Sequence, residues 1–117
     1  MDGSSGTTTR RIPTIEVIVT GDLNSWTAPA INDTLDEAMA LAPEQVIIDL
    51  EGCPSIDAAG ILLLLDAHRR AIRNGATVAL RSPSERLRRN LRLARVDRVL
   101  QVIRPSTQEA GSGQGPL

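Results

Sequence analysis

Apolar residues along this 117-residue chain follow two kinds of spacing, one typical of β-strands and one typical of α-helices. The segment 14–21 (TIEVIVTG) has the pattern of a strand. The short, nearly continuous apolar run at 45–50 (QVIIDL) predicts a strand buried on both faces of a sheet. Segments 76–81 (ATVALR) and 99–103 (VLQVI) predict two further strands. Helical spacing fills the intervals, so strands and helices alternate along the chain.

The first two predicted helices start at polar residues with capping chemistry. Thr27 is the predicted N-cap of the first helix. The apolar face of this helix consists of Ile31, Leu35, Ala38 and Met39. The second helix is predicted from Asp57 to about Asn74, with Gly75 as the left-handed residue after its end. Its predicted apolar face consists of Ile61, Leu64, Leu65, His68 and Ile72.

The third predicted helix combines a capping box with an arginine-rich face. Ser82 is the predicted cap, Glu85 completes the capping box, and the helix is expected to run to about Arg95. Its buried stripe consists of Leu87, Leu91 and Ala94. The solvent side carries Arg86, Arg88, Arg89, Arg92, Arg95 and Arg98. These arginines form either a solvated face or a docking surface for an acidic protein, and the lack of interleaved aromatics disfavours nucleic acid.

The order β-α-β-α-β-α-β predicts an α/β fold in which helices pack on a largely parallel or mixed sheet. One domain is expected over residues 14–104, because 117 residues are too few for two. Residues 1–13 are predicted to form a flexible segment with room for a short strand at 8–12. Residues 105–117 are predicted to form a disordered tail, since they are polar and rich in Gly and Pro.

Composition narrows the functional classes. The net charge of −1 gives no global field for nucleic acid or an anionic membrane. Cys53 is the single cysteine, which excludes an intrachain disulfide and a CxxC site. No signal peptide is evident, and the longest apolar run, 61–65, is far shorter than a membrane span, so a cytoplasmic protein is expected. One His without a metal or nucleophile constellation predicts no enzyme, no cofactor and no metal site.

The segment SIDAAGI, residues 55–61, carries the main candidate site. Asp57 is expected to accept a hydrogen bond from the backbone of Ala59 or Gly60. A helix start alone would account for this aspartate. Ala58 and Ala59, however, lie at the first turn of a helix that follows a buried strand, where partners and ligands of open α/β sheets usually bind.

Three segments in order resemble the STAS domain of bacterial anti-sigma factor antagonists, over roughly residues 14–104. They are VTGDLNSWTAPAI (19–31), VIIDLEGCPSIDAAGI (46–61) and NGATVALRSPSERL (74–87). The resemblance implies a central mixed, mostly parallel sheet of four to five strands with three to four helices. It also implies a partner-binding surface made of the early turn and the start of the second helix. The implied early-turn residues are Asp22, Asn24, Ser25 and Trp26, and those of the second segment are Ser55, Asp57, Ala58, Ala59, Gly60 and Ile61.

The chain departs from this family at the position of its switch. Ala58 stands where relatives carry the Ser or Thr that a partner kinase phosphorylates, and Ala59 stands where a second Ser is frequent. Asn24 replaces the usual Asp of the early turn. A phosphate at a helix N-terminus is compatible with the helix but adds about −1.5 to −2 charges to a docking surface. Without a hydroxyl at 58, we expect binding that this modification cannot turn off.

Several neighbouring residues have two interpretations. Ser55 is either a replacement phosphoacceptor or a loop hydroxyl that bonds nearby backbone. Cys53 is interpreted as a small core residue, and His68 as a packed or half-exposed side chain. Trp26 either covers the core or anchors an interface.

The resemblance implies an anti-sigma factor of the serine-kinase type as partner, whose capture frees a sigma factor for transcription. A homodimer is left open. The alternatives are an assembly subunit of a lipid transporter or a stress-signalling complex, and a domain that senses a nucleotide or small ligand near Asp22 and Asn24.

Overall fold

The computed structural model describes residues 12–103, and these fold into strands and helices that alternate along the chain. The strands are β1 (Ile12–Thr20), β2 (Pro43–Gly52), β3 (Thr77–Arg81) and β4 (Gln101–Ile103). The helices are α1 (Ala28–Ala40), α2 (Ala58–Arg73) and α3 (Glu85–Leu93), and a short 3₁₀ turn follows at Val96–Arg98. The predicted order of elements is confirmed.

The described strands form one sheet in the order β1-β2-β3-β4, and every neighbouring pair is parallel. Parallel neighbours need crossover connections, and the three helices supply them. Because the strands run in one direction, the turns that lead into the three helices all lie at the carboxyl edge of the sheet. The α/β class with a mostly parallel sheet is therefore confirmed.

One face of the sheet and the three helices enclose the hydrophobic core. The core side of the sheet carries Val17, Ile48 and Leu80, which are partners across three neighbouring strands. The helices contribute residues such as Leu35 and Leu64, both fully buried. Apart from Cys53, aliphatic side chains thus build the described core, as a sequence without Phe or Tyr requires.

The other face of the sheet is partly polar. Arg81 of β3 reaches across β2 to Glu16 of β1, with 2.7 Å between its Nη1 atom and Glu16 Oε2. Ile47 lies on this face of β2, between them, and is only 5% exposed. Ile18, which follows Glu16 on the same face, is 66% exposed. The ion pair therefore covers the middle of this face of the sheet, whereas the face is open to solvent at Ile18 of β1.

Several strand boundaries differ from the prediction, and β2 extends two residues beyond the predicted 45–50 at each end. β1 begins at Ile12 rather than residue 14, since Pro13 is tolerated in a strand that has one paired neighbour among the described residues. The short strand predicted at 8–12 lies outside the described residues except for Ile12, which belongs to β1. The predicted tail at 105–117 also lies outside them. β4 begins at Gln101 because residues 96–98 form the 3₁₀ turn.

The predicted cap of α3 was wrong by two residues. The hydroxyl of Ser84 accepts a hydrogen bond from the Leu87 backbone at 3.1 Å, so Ser84 is the N-cap. Ser82 instead has a φ of 58°, and its hydroxyl has no partner among the described residues. The motif SPSE contains two serines, and the sequence pattern favoured Ser82 as the cap. The backbone holds Ser82 in a left-handed conformation, and Ser84 takes the capping position instead. The helix also ends at Leu93, which leaves Ala94 exposed.

The buried face of α2 differs from the one that the sequence predicts. Its buried residues are Gly60, Leu63, Leu64, Ala67 and Ala71, whereas Ile72 is 57% exposed. Small residues let the helix approach its neighbours closely, and an assignment that weights large side chains misses this stripe.

Candidate functional site

Two turns at the carboxyl edge of the sheet are joined by backbone hydrogen bonds. The Gly21 amide donates to the Gly52 carbonyl at 2.8 Å, and the Leu23 amide donates to the Ser55 carbonyl at 2.9 Å. In return, the Asp57 amide donates to the Leu23 carbonyl at 3.1 Å. The structure thus brings the early turn and the start of α2 together. We call them the two-turn surface, consisting of Asp22, Asn24, Ser25, Trp26, Ser55, Asp57, Ala58, Ala59, Gly60 and Ile61.

Gly60 permits the close contact between these two turns. A Cβ atom at this position would lie 2.6 Å from the Leu23 carbonyl oxygen and 2.6 Å from Ile56 Cγ1. Real Cβ atoms do not approach a backbone oxygen so closely, so a side chain here would displace the early turn. Leu23 is itself fully buried under this contact. Gly60 therefore sets the distance between the early turn and α2.

Asp57 caps α2 as predicted, and its partner is Gly60 rather than Ala59. The Gly60 amide donates to Asp57 Oδ1 at 3.1 Å. Ala58, the first residue of the helix, is exposed, and Ala59 is half-buried. The methyl group of Ala58 therefore faces solvent beside the capping carboxylate. A hydroxyl at 58 would be accessible to a kinase, and the alanine presents none.

The early turn is organised by Asn24, while Thr27 is the N-cap residue of α1, as predicted, but makes no side-chain capping hydrogen bond. Asn24 Oδ1 accepts hydrogen bonds from the backbone amides of Trp26 at 2.8 Å and Thr27 at 3.1 Å. The Thr27 hydroxyl points back and donates to the Asp22 carbonyl at 2.8 Å. An amide oxygen accepts these hydrogen bonds as well as a carboxylate oxygen would. Asn24 therefore keeps the turn while carrying no charge.

Trp26 does not cover the core. Its side chain lies in the early turn and is 90% exposed, which excludes the interpretation in which Trp26 covers the core. An exposed Trp next to an exposed helix start is the type of residue that anchors protein interfaces. Leu62, one helical turn after Ala58, is 61% exposed and extends the apolar character along α2. Leu62 was not among the predicted site residues, although its spacing of four from Ala58 indicates it.

Ser55 and Cys53 shape the second turn through the Ser55 carbonyl. This carbonyl accepts hydrogen bonds from the Leu23 amide and, at 3.3 Å, from Cys53 Sγ. Ser55 is half-buried, and its hydroxyl bonds no other residue in the range 12–103. Cys53 is 1% exposed, which confirms its interpretation as a core residue, and burial raises the pKa of its thiol. In this turn the backbone carbonyl of Ser55 accepts the hydrogen bonds, which does not support the interpretation of Ser55 as a loop hydroxyl that bonds nearby backbone.

Arg70 links α1 to α2 behind the two turns. Its guanidinium contacts Asp36 of α1 and donates to Asn32 Oδ1 at 3.2 Å. Its Nε atom lies 3.1 Å from Asp66 Oδ2 on its own helix. These contacts join α1 to α2, the helices that follow the two turns.

The remaining candidates lie apart from this surface. His68 is half-buried on α2, and no group of three or more His, Cys, Asp or Glu side chains comes together within residues 12–103. The six arginines of α3 and the segment after it are all exposed. No helix in the described part of the chain is long and apolar enough to cross a membrane.

Comparison with solved structures shows a shared α/β fold. A candidate anti-sigma factor antagonist from Thermotoga maritima, TM1081, is 21% identical with a TM-score of 0.71, covering 86% of each chain. A sulfate transporter family protein from Wolinella succinogenes is 22% identical with a TM-score of 0.68, also covering 86% of each chain. The phosphorylated form of the Bacillus cell fate determinant SpoIIAA is 19% identical with a TM-score of 0.64, covering 89% of this chain and 92% of its own.

The family model for the STAS domain matches residues 7–110. The protein therefore belongs to the STAS domain family. No curated protein sequence matches the chain significantly. The structural neighbours include both anti-sigma factor antagonists and STAS domains of sulfate transporters.

Proposed function

We propose that this STAS domain is a cytoplasmic protein-binding module of a bacterial signalling system. It captures an anti-sigma factor of the serine-kinase type and so releases a sigma factor for transcription. In this proposal the domain acts by binding and performs no catalysis. The observation that carries the proposal is the exposed Ala58 at the start of α2, beside an early turn fixed in place by backbone hydrogen bonds.

The chemistry of the two-turn surface supports a protein partner. It combines an exposed Trp with the exposed methyl group of Ala58 at the start of α2, and it carries the carboxylates of the exposed residues Asp22 and Asp57. Interfaces are enriched in such aromatic anchors surrounded by polar residues. The structural likeness to SpoIIAA and TM1081 supports this kind of partner through the fold.

The absence of a hydroxyl at 58 determines the mode of regulation that we propose. A phosphoryl group at this position would add about −1.5 to −2 charges beside the Asp57 carboxylate and would oppose docking. Ala58 retains the small apolar form of the surface permanently. Regulation would then act through the abundance of the protein or through its partner. Ser55 is the alternative acceptor, and its half-buried hydroxyl has no bond to another described residue that would have to break.

A phosphorylation assay tests this proposal. The purified protein is incubated with ATP and the serine-kinase anti-sigma factors encoded in the same genome, and complexes and masses are then measured. We expect a stable complex and no added phosphate, whereas the Ala58→Ser variant becomes a substrate if the kinase recognises the surface. Phosphate on Ser55 of the unaltered protein would overturn independence from phosphorylation. Failure of every such kinase to bind would overturn the antagonist role.

An assembly role is the second candidate, because STAS domains of transporters share the fold to a similar degree. In that role the same surface would dock on a transporter or signalling subunit rather than on an anti-sigma factor. Genomic neighbourhood distinguishes the two, since a sigma or anti-sigma gene supports the first and a transporter operon supports the second. A nucleotide-sensing role has less support, because Asn24 Oδ1 is already occupied by two backbone amides.

A further inference from the structure

The arginines that follow β3 form a second charged surface, distinct from the two-turn surface. Residues 85–98 contain six arginines and two acidic residues, a net charge of +4, in a chain whose total is −1. All six arginines are exposed, and none forms an ion pair with another residue in the range 12–103. Arginines on a helix commonly pair with acidic side chains three or four residues away, as the half-buried Arg70 does with Asp66. We call this group, Arg86, Arg88, Arg89, Arg92, Arg95 and Arg98, the arginine face.

A small cavity opens within the arginine face. It has a volume of ≈ 110 Å³ and lies between α3, the 3₁₀ turn and β4. Arg88 and Arg92 line it together with the apolar side chains of Leu91 and Val102, and Asp97 lies at its wall. Arg88 and Arg92 are one helical turn apart, so their guanidinium groups flank the same opening. The cavity therefore offers an apolar floor with two cationic side chains at its rim.

Two exposed apolar residues accompany the charges. Leu93 is 77% exposed at the end of α3, and Val99 is 48% exposed after the 3₁₀ turn. Leu93 lies one turn from Arg89, so an exposed apolar side chain and a guanidinium group share one side of α3. A surface of this composition favours a partner segment that carries both carboxylates and aliphatic side chains. Arginine is well suited to it, since its planar guanidinium binds a carboxylate through two parallel hydrogen bonds.

We propose that the arginine face is a docking surface for an acidic, amphipathic segment of a second protein. Its carboxylates pair with Arg88 and Arg92, and one of its aliphatic side chains enters the cavity over Leu91. Nucleic acid fits less well, because the face spans one nine-residue helix and its exit and carries no aromatic side chain for stacking. The face lies after β3, whereas the two-turn surface follows β1 and β2, so this docking does not depend on the proposed anti-sigma function.

The test uses a fluorescein-labelled acidic peptide that repeats Glu and Leu at helical spacing, titrated with the full chain and followed by fluorescence anisotropy. A peptide with Gln in place of Glu is the probe control. The test variant is Arg88→Glu with Arg92→Glu. The matched control is Arg69→Glu with Arg73→Glu, an exposed pair at the same spacing on α2. Circular dichroism verifies that both variants fold.

We expect the acidic peptide to bind and the Gln peptide to bind at least roughly tenfold more weakly, with affinity that falls as salt rises. Reversal at 88 and 92 should weaken binding by about tenfold or more, and the control pair should change it less than about threefold. Equal effects of the two variants, or no binding by the unaltered chain, would overturn the proposal. Tighter binding of duplex DNA than of the peptide would also overturn it. The same holds if sedimentation shows that the chain self-associates and that Arg88→Glu with Arg92→Glu abolishes this self-association.

Discussion

The carbonyl oxygen of Leu23 lies where a side chain at Gly60 would have to be, 2.6 Å from the position of its Cβ atom. Leu23 belongs to the early turn and Gly60 to the first turn of α2. This contact, together with the hydrogen bond from the Asp57 amide to the same carbonyl, fixes the two halves of the candidate site against each other. The surface is thus built from backbone groups in close contact, with the exposed side chains placed on top.

Gly60→Ala is expected to destabilise the fold by about 1–3 kcal/mol, because the added methyl group must displace backbone rather than a flexible side chain. Urea denaturation measures the change. Gly52→Ala is the matched control, since a Cβ atom there meets its nearest neighbour at 3.5 Å, an ordinary contact. Equal stability losses in the two variants would contradict the role assigned to Gly60.

Asp57→Ala is expected to lower the free energy of unfolding by about 0.5–2 kcal/mol, because the Gly60 amide loses its acceptor. Asp57→Asn keeps an oxygen in the same place and should retain most of the stability. Thermal and urea denaturation of both variants make the comparison. If the asparagine variant were as unstable as the alanine variant, the capping role would be excluded.

The cap of α3 can be tested at the two serines of the SPSE motif. Ser84→Ala should cost about 1 kcal/mol because the Leu87 amide loses its partner. Ser82→Ala should cost less, since the Ser82 hydroxyl has no partner among the described residues. Denaturation midpoints of the two variants decide the point, and the reverse order would restore Ser82 as the cap.

Cys53 predicts a specific dependence of stability on alkaline pH. Burial raises the pKa of its thiol, so the folded state holds the proton more tightly than the unfolded chain does. The resulting stability is fully present below the ordinary thiol pKa of 9.0 and is lost as pH rises through the higher folded value. The chain contains no Lys and no Tyr, which leaves this thiol as the side chain that titrates there.

Urea denaturation between neutral and alkaline pH should therefore show a decline that Cys53→Ala removes, although that variant is less stable at neutral pH. An unchanged alkaline decline in Cys53→Ala would contradict the assignment. The native thiol should also react slowly with iodoacetamide, since it is buried and protonated.

The alternation of elements was predictable because periodicity reports which side chains face the core. The strands and the capping of α2 by Asp57 followed from local pattern alone. Features that depend on contacts distant in the sequence were not predictable in this way. The buried stripe of α2 depends on where Leu23 and the sheet approach it, and small residues such as Gly60 and Ala67 carry little signal in a pattern based on apolar size.

The sequence alone also could not decide between the alternative roles of side chains in the turns. Thr27 and Asn24 are both good caps, and only the backbone path shows that Asn24 Oδ1 accepts the turn amides. Trp26 is the largest apolar side chain in the protein and was expected in either of two environments. Its 90% exposure follows from the direction of the turn, which the local sequence does not encode.

The central claim is that the two-turn surface binds an anti-sigma factor in a form that Ala58 keeps permanently competent. Isothermal titration calorimetry of the unaltered protein, Ala58→Asp and Ala40→Asp against the serine-kinase anti-sigma factors of the same genome tests it. Ala40 is an exposed residue at the far end of α1, away from the two turns. Binding that Ala58→Asp weakens by about tenfold or more while Ala40→Asp leaves it nearly unchanged is the predicted result. No binding to any such factor, or equal affinity of the protein and Ala58→Asp, would contradict the claim.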